Sequence, residues 1–303
     1  HRPEVNVSGI PFVRDLDFAY GRADQASLLI RRVIAQNPGP FTFLGTGVYI
    51  IGKGDVAVID PGPPIDAHFE ALTAALAGER ITHVFTTHTH LDHSPLAHPL
   101  AQWAGCKVYG LPDPSGTMPH ASLEEDGQEG FMPDVLVKDG DTFSGSGWTL
   151  EAITTPGHMS NHVCYALKEE NALFSGDHIM GWSTTVISPP DGNMGDYYRS
   201  LAKIRARNFS ALWPTHGPPV KDVNAFIDAY VAHRRAREEA IVARLKAGDT
   251  LIPDMVKVIY KDVDARLHAP AAHSVLAHMI HLVEAGRATA DGPFNLTTRY
   301  HAA

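Results

Sequence analysis

Two β-branched runs within residues 43–60, FLGTGVYIIGKGDVAVID, flank a Gly-Lys-Gly-Asp turn, and that arrangement predicts a β-hairpin. Apolar residues at helical spacing follow over 65–77, and an apolar, β-prone run over 81–87 predicts the next strand. Ser94 and Pro95 stand where a helix cap and first helical residue would, with Gly105 positioned to stop the helix after Ala104. From 135 to 177 the pattern is strand-rich, with runs over 148–154, 162–167 and 172–174 separated by Pro-Gly and Glu-Glu-Asn turns. A helix is predicted over 194–207, and the strand-like ALWPT then leads into His216. Strands with helices in both halves of this region predict a layered α/β or α+β fold.

After about residue 219 the pattern changes to long amphipathic stretches over 223–247, 252–260 and 271–284, with Gly286 as a stop and EAGRATADGPFNLTTRY as a short hairpin. Three helices followed by a two-stranded ribbon outline a winged helix. The chain is therefore read as two domains, 1–220 and 221–303.

Composition narrows the function. The 44% hydrophobic and 19% charged residues describe an ordinary globular chain without low-complexity tracts. A net charge of −9 argues against a protein that coats nucleic acid, which needs clustered Lys and Arg, although it leaves room for a local basic groove. Cys106 and Cys164 are the only cysteines, so no disulfide framework is expected and both are read as buried thiols. HRPEVNVSGI carries no charged-then-apolar leader and no run approaches eighteen apolar residues, so no membrane span and a cytoplasmic location are expected. The outlying number is 18 histidines, which calls for a search for ligand spacing.

His88-Thr89-His90-Leu91-Asp92-His93 places four ligand-type side chains within six residues on a loop after a predicted strand. Neutral imidazole nitrogens with a hard carboxylate oxygen suit zinc, and the same set accommodates iron or manganese. His158 in TTPGH, Asp177 in FSGD and His216 in PTHGP each follow a strand-like run and sit beside a glycine. Their order, HxHxDH then TPGH, SGD and HG, resembles the metallo-β-lactamase superfamily. The resemblance implies an α+β fold, the four-layer αββα sandwich, here with the small winged-helix-like domain appended. It implies two divalent cations, the first held by His88, His90 and His158 and the second by Asp92, His93 and His216, with Asp177 between them. Hydrolysis by a metal-bridging hydroxide would follow, with Asp92 and Asp177 as the carboxylates of the catalytic centre. Asp60 in VIDPG resembles an early Asp of the family and is expected to orient ligands. His162 and His178 are assigned supporting roles, and His233, His268, His273, His278 and His281 are read as surface or packing groups.

TPGHMSNH, ENALFSGDHIMG, PTHGPPV, HRRAREEAI, VIYKDV and HSVLAHMIHLVEAGR are similar to the β-lactamase-like-2 group, which includes a mitochondrial endoribonuclease of animals and many bacterial hydrolases. The expected substrate is a small-molecule ester, thioester or related acyl compound. Single-stranded RNA is the alternative, and a non-catalytic sensor or binding module is the third reading. Against RNA, the loop over 111–134 holds Asp113, Glu124, Glu125, Asp126, Glu129 and Asp134 and no Lys or Arg. Arg199, Lys203, Arg205 and Arg207, with Arg234, Arg235 and Arg237, are read as solvated helix faces. The segment 182–198 has the composition of a substrate-facing loop, with Tyr197 or Tyr198 as a donor to a leaving group.

Overall fold

The computed structural model describes residues 9–114, 127–262, 265 and 268–303. One sheet contains β1 (Ala23–Gln25), β2 (Ile30–Ile34), β3 (Gly47–Lys53), β4 (Asp55–Ile59), β5 (Arg80–Phe85), β6 (Lys107–Gly110) and β7 (Val135–Leu136) in that spatial order. β1 to β4 pair antiparallel, and β4 to β7 pair parallel. The second sheet is a meander of β8 (Thr142–Gly145), β9 (Trp148–Thr154), β10 (Val163–Leu167) and β11 (Ala172–Gly176), with β12 (Ala211–Pro214) added parallel to β11.

The strands read as nearly unbroken apolar runs because both of their faces are buried. Tyr49, Ile51, Ala57, Ile59 and Phe85 meet Trp148, Leu150, Tyr165, Phe174 and Trp213 between the sheets. The opposite faces of β3 and β4 pack against α1 (Asp66–Ala75) and α2 (Ala97–Ala104) through Val48, Ile50, Val58, Leu72 and Leu100. Cys164, Ala166 and Leu173 on the far side of the second sheet pack against α3 (Met194–Arg205) and α4 (Val223–Lys246). The result is the four-layer αββα sandwich.

The first half of α4 enters that outer core through Phe226, Ile227 and Tyr230. Its second half enters another core, through Ile241, Val242 and Leu245, with α5 (Ile252–Ile259), α6 (His268–Glu284) and the hairpin of β13 (Ala288–Ala290) and β14 (Tyr300–Ala302). This C-terminal assembly is the winged helix.

Several local expectations change. Ser94 does not cap α2: its Oγ donates to Gln128 Oε1 (2.7 Å), and the helix starts later, after Leu96, because 90–97 is a run of turns closed by His93 N–H to His90 O and Ala97 N–H to Ser94 O. Cys106 is only partly buried, whereas Cys164 is fully buried. The strands β1, β2 and β6 carry no expectation from the sequence, and β2 hides a buried Arg32 whose guanidinium donates to Gly217 O (3.4 Å). Among the described residues, no helix is long and apolar enough to cross a membrane.

Candidate metal centre

β4, β5, β9, β11 and β12 deliver their C-terminal ends to one rim. β4 and β5 run parallel, as do β11 and β12, and β9 and β11 share a direction because each pairs antiparallel with β10. Asp60, His88 to His93, His158, Asp177 and His216 all lie just past those ends, on loops whose positions the sandwich fixes. Two glycines of the motifs are required by close approach. Gly176 has φ +54°, and a Cβ there would lie 2.5 Å from His162 Nε2 and 2.9 Å from Thr87 Cβ. Gly157 has φ +152°, and its Cβ would lie 2.6 Å from Tyr197 Cα. SGD and TPGH thus keep their glycines because a neighbouring chain passes where a side chain would be.

The seven side chains converge as two buried groups, His88, His90, His158 and Asp177, and Asp92, His93 and His216, with the ligand-type atoms of each group within 4.8 Å of one another. Hydrogen bonds at one ring nitrogen decide which nitrogen faces inward. His93 Nδ1 donates to Asp60 Oδ2 (2.8 Å), and His158 Nδ1 donates to Val186 O (2.7 Å). His216 Nδ1 lies 3.2 Å from Gly45 O, and His88 Nδ1 lies 3.0 Å from Thr87 Oγ1, which itself donates to Asp60 Oδ2 (2.7 Å). These four rings therefore present Nε2 to the centre. His90 presents Nδ1, 3.0 Å from His88 Nε2 and 3.3 Å from His158 Nε2.

Asp177 lies between the groups. Its Oδ2 is 4.0 Å from His88 Nε2, 3.8 Å from His158 Nε2 and 3.4 Å from His93 Nε2, and its Oδ1 is 3.5 Å from His216 Nε2. Asp92 Oδ2 is 3.0 Å from His216 Nε2 and 3.3 Å from His93 Nε2.

Burial and the neighbouring imidazoles push His88 far below the ordinary histidine range, burial and His158 take His90 down to about 3, and burial lowers His158. The first group thus offers neutral lone pairs. In the second group burial opposes charge, but Asp92, Asp177 and Asp60 together raise His93 well above its usual value, and Asp177 and Asp92 raise His216. Burial disfavours the carboxylate forms of Asp92 and Asp177, yet the facing histidines overcome it and hold both below the carboxylate range. Protons on His93 and His216 hold the place that cations would take.

His93 Nε2, His216 Nε2 and Asp177 Oδ1 are buried and face one another or Asp92 across 3.0–3.5 Å without a well-formed hydrogen bond. Buried polar atoms left without a well-formed hydrogen bond cost roughly 1–3 kcal/mol each, and a bound cation would satisfy them. The donor set of imidazoles and carboxylates fits two divalent cations, and each group could hold one.

The supporting shell is built as expected around Asp60, which is fully buried. Besides His93 and Thr87 Oγ1, it accepts from Thr87 N–H (2.7 Å) and Thr215 Oγ1 (3.1 Å). One carboxylate thus orients His93 directly and His88 through a hydroxyl. His162 lies 2.8 Å from Thr155 Oγ1 through Nδ1 and accepts from Asp177 N–H through Nε2 (3.2 Å), so it positions the backbone of the central Asp. His178 is buried beside the Tyr197 ring, and burial holds it down to about 3. Tyr197 donates to His178 O (2.6 Å) and Tyr198 stacks near His281, so neither tyrosine is placed as a leaving-group donor by a contact with the seven.

Within 182–198, read from the sequence as a loop of substrate-facing composition, the Val186 carbonyl anchors His158 and Thr185 Oγ1 donates to Asp177 O (2.9 Å). In the acidic loop, Asp113 accepts from Gly130 N–H (3.0 Å) and Asp134 from Val108 N–H (2.8 Å), both local backbone roles, while Glu124, Glu125 and Asp126 lie outside the described residues.

The sequence matches the model described as the metallo-beta-lactamase superfamily over residues 42–216, and that of the beta-lactamase associated winged helix domain over 252–293. It is 32% identical over 261 residues to a beta-lactamase-like protein 2 homolog of Caenorhabditis elegans, covering 83% of each chain. It is 31% identical over 228 residues to an atrochrysone carboxyl ACP thioesterase of Aspergillus aculeatus, covering 73% of this chain and 66% of that protein. In fold it is similar to a beta-lactamase domain protein from Burkholderia ambifaria, with a TM-score of 0.78, 20% identity and full coverage of both chains. A metallo-beta-lactamase family protein from Thermus thermophilus gives 0.71 and 21% identity, covering 92% of this chain and all of that one.

Proposed function

The chain belongs to the metallo-beta-lactamase superfamily and is a hydrolase, and from that premise we propose that it is a binuclear metal-dependent hydrolase of an ester, thioester or related acyl substrate. The observation that carries the reading is the pair of buried ligand groups meeting at Asp177. His88, His90 and His158 would hold one cation, Asp92, His93 and His216 the other, and Asp177 would touch both. Zinc is the expected metal, with iron and manganese accepted by the same donors. Two such cations supply an activated water at neutral pH and a positive field for the oxyanion that forms on the attacked carbonyl.

The chain's own groups do the rest. Asp60 and Val186 O fix the ring orientations of His93 and His158, so that Nε2 of each points inward before anything binds. His162 accepts from the Asp177 N–H and Thr185 donates to its carbonyl, so the backbone is braced on both flanks of the residue. Since no serine or cysteine hydroxyl or thiol is among the seven, no covalent acyl intermediate is called for.

The acyl class is supported by the thioesterase-named relatives. The basic residues that the sequence singles out on and just after α3 give RNA no comparable support. Arg199, Lys203, Arg205 and Arg207 pair respectively with Asp196, Asp139, Asp228 and Glu151. We also divide the chain into a hydrolase unit over 1–220 and a winged-helix unit over 221–303, on the change from mixed sheets to α4, α5, α6 and the terminal hairpin. The deciding experiment assays metal-loaded protein side by side on a thioester, a lactone, a cephalosporin and single-stranded RNA. Thioester or lactone turnover that chelation abolishes and added zinc restores is expected; chelator-sensitive RNA cleavage without acyl turnover overturns the acyl reading.

A further inference from the structure

The strap 184–187 has a second face. Besides the contacts with His158 and Asp177, Thr184, Thr185, Val186 and Ile187 line a cavity of about 240 Å³ together with residues of α4 and α6. A single water needs only about 10–15 Å³ by the same kind of measure, so there is room for a polyatomic group. Arg234 and Arg237 face it from α4, and His273 and Ser274 from the first turns of α6. No Asp or Glu is among the described residues that line it.

Among the described residues, Arg234 and Arg237 have no carboxylate partner. Arg234 is 5% exposed, donates to Thr185 O, and keeps a buried Nε with no hydrogen-bond partner. Arg237 stacks on the Tyr260 ring, with its guanidinium carbon 4.2 Å from the centroid, which orients its fork without neutralising it. His273 Nδ1 is likewise buried and unpartnered. This contrasts with the paired arginines and lysine of α3, and a nearly buried guanidinium with a free donor selects an oxyanion geometrically. The first turns of α6, a 17-residue helix, add the positive end of its dipole.

We propose that this cavity binds a phosphate group on the thiol portion of a thioester substrate, with Arg237 and Arg234 as its cationic partners. The inference rests on the acyl reading of the metal centre and deepens it: the strap that anchors His158 also lines the anion site. The substrate class is accordingly an acyl thioester of a phosphorylated thiol such as pantetheine 4′-phosphate, and the winged-helix unit contributes to recognition through α4 and α6.

The test uses the full chain and two matched probes, acetyl thioesters of pantetheine and of pantetheine 4′-phosphate, together with the free thiols. Calorimetry on chelator-treated protein is expected to show the phosphorylated thiol binding about tenfold or more tightly than its unphosphorylated counterpart, as a charge-assisted hydrogen bond to the phosphate requires. Arg237→Gln removes that difference and Arg237→Lys keeps part of it. On metal-loaded protein the phosphate lowers KM by a similar factor with little change in kcat, and Arg237→Gln cancels the gain while leaving turnover of the unphosphorylated thioester unchanged. Hydrolysis of both thioesters with equal KM overturns the anion site and leaves the acyl reading standing. Hydrolysis of neither overturns the acyl reading itself. Phosphorylated-thiol binding that persists in Arg237→Gln also overturns the site. So does a single-stranded oligonucleotide that binds through Arg237 when the phosphorylated thiol does not bind.

Discussion

Two clusters of histidine and carboxylate occupy this molecule, and they solve opposite problems. At the sandwich rim, the hydrogen bonds of the supporting shell take up one nitrogen of His88, His93, His158 and His216 and leave the inward atoms of His93, His216 and Asp177 facing one another without a well-formed hydrogen bond. In the C-terminal region, Glu238, 5% exposed, accepts from His278 Nδ1 (3.2 Å) and His281 Nδ1 (2.8 Å), with Arg287 at 3.9 Å. Burial takes His278 down to about 4, and although burial works the other way on Glu238, its two histidine donors bring it to about 2. The consistent state is a neutral His278 donating to an ionised Glu238, a closed arrangement with nothing aimed at a common empty point. Histidine richness by itself thus says little. What separates a binding centre from a structural knot is whether the inward atoms are left for something else.

The largest effect that would break this comparison is at the rim. Asp177→Ala is expected to lower kcat/KM on the order of 10³-fold or more and to reduce bound metal, both read by steady-state kinetics and elemental analysis. Asp60→Ala, at a residue outside the seven of the rim, is expected to weaken metal affinity about 10- to 100-fold because His93 and His88 lose their orientation; unchanged affinity in a chelator competition contradicts it. Glu238→Ala is the mirror experiment. It strands two histidine donors, so a loss of about 1–3 kcal/mol in denaturant unfolding is expected with metal content intact. A loss of metal would erase the distinction between the clusters.

Acidity separates the two by mechanism. The folded pKa values of His278 and Glu238 lie below their unfolded values, so the unfolded chain binds more protons, and this cluster's contribution to stability is full above about pH 6.5 and is lost as pH falls toward about 2. His93 and His216 are shifted the other way. In metal-free protein their contribution is present below about pH 6.5 and is lost as pH rises through their folded values, and cation uptake must expel their protons. Apparent metal affinity is therefore expected to rise between about pH 6 and about pH 8, measured by competition with a chelator of known pH dependence. The smallest effect is Lys203→Ala, which removes a half-exposed ion pair with Asp139 and is expected to leave turnover and unfolding midpoint unchanged within error.

How much of this was legible depends on the range of the interactions. The seven residues of the rim could be placed together because each sits in a short motif after a strand, where a few neighbours carry the signal. The sandwich was legible where strands are apolar on both faces, as in β3, β4 and β10, and illegible in β2, where Arg31 and Arg32 interrupt the pattern with long-range partners Glu79 and Gly217. Glu238 with His278 and His281 pairs positions 40 and 43 residues apart on different helices, and no local spacing reports that. Asp60 was found through a motif, but its four-way role depends on Thr215, 155 residues away.

α4 is a single 24-residue helix, roughly 36 Å long at 1.5 Å per residue, with one end in each core. A helix propagates order along its length, so fraying at one end competes with packing at the other, and neither unit can lose its share without exposing the apolar stripe of the shared rod. Exchanging tails between relatives would therefore mean splicing within a continuous structural beam.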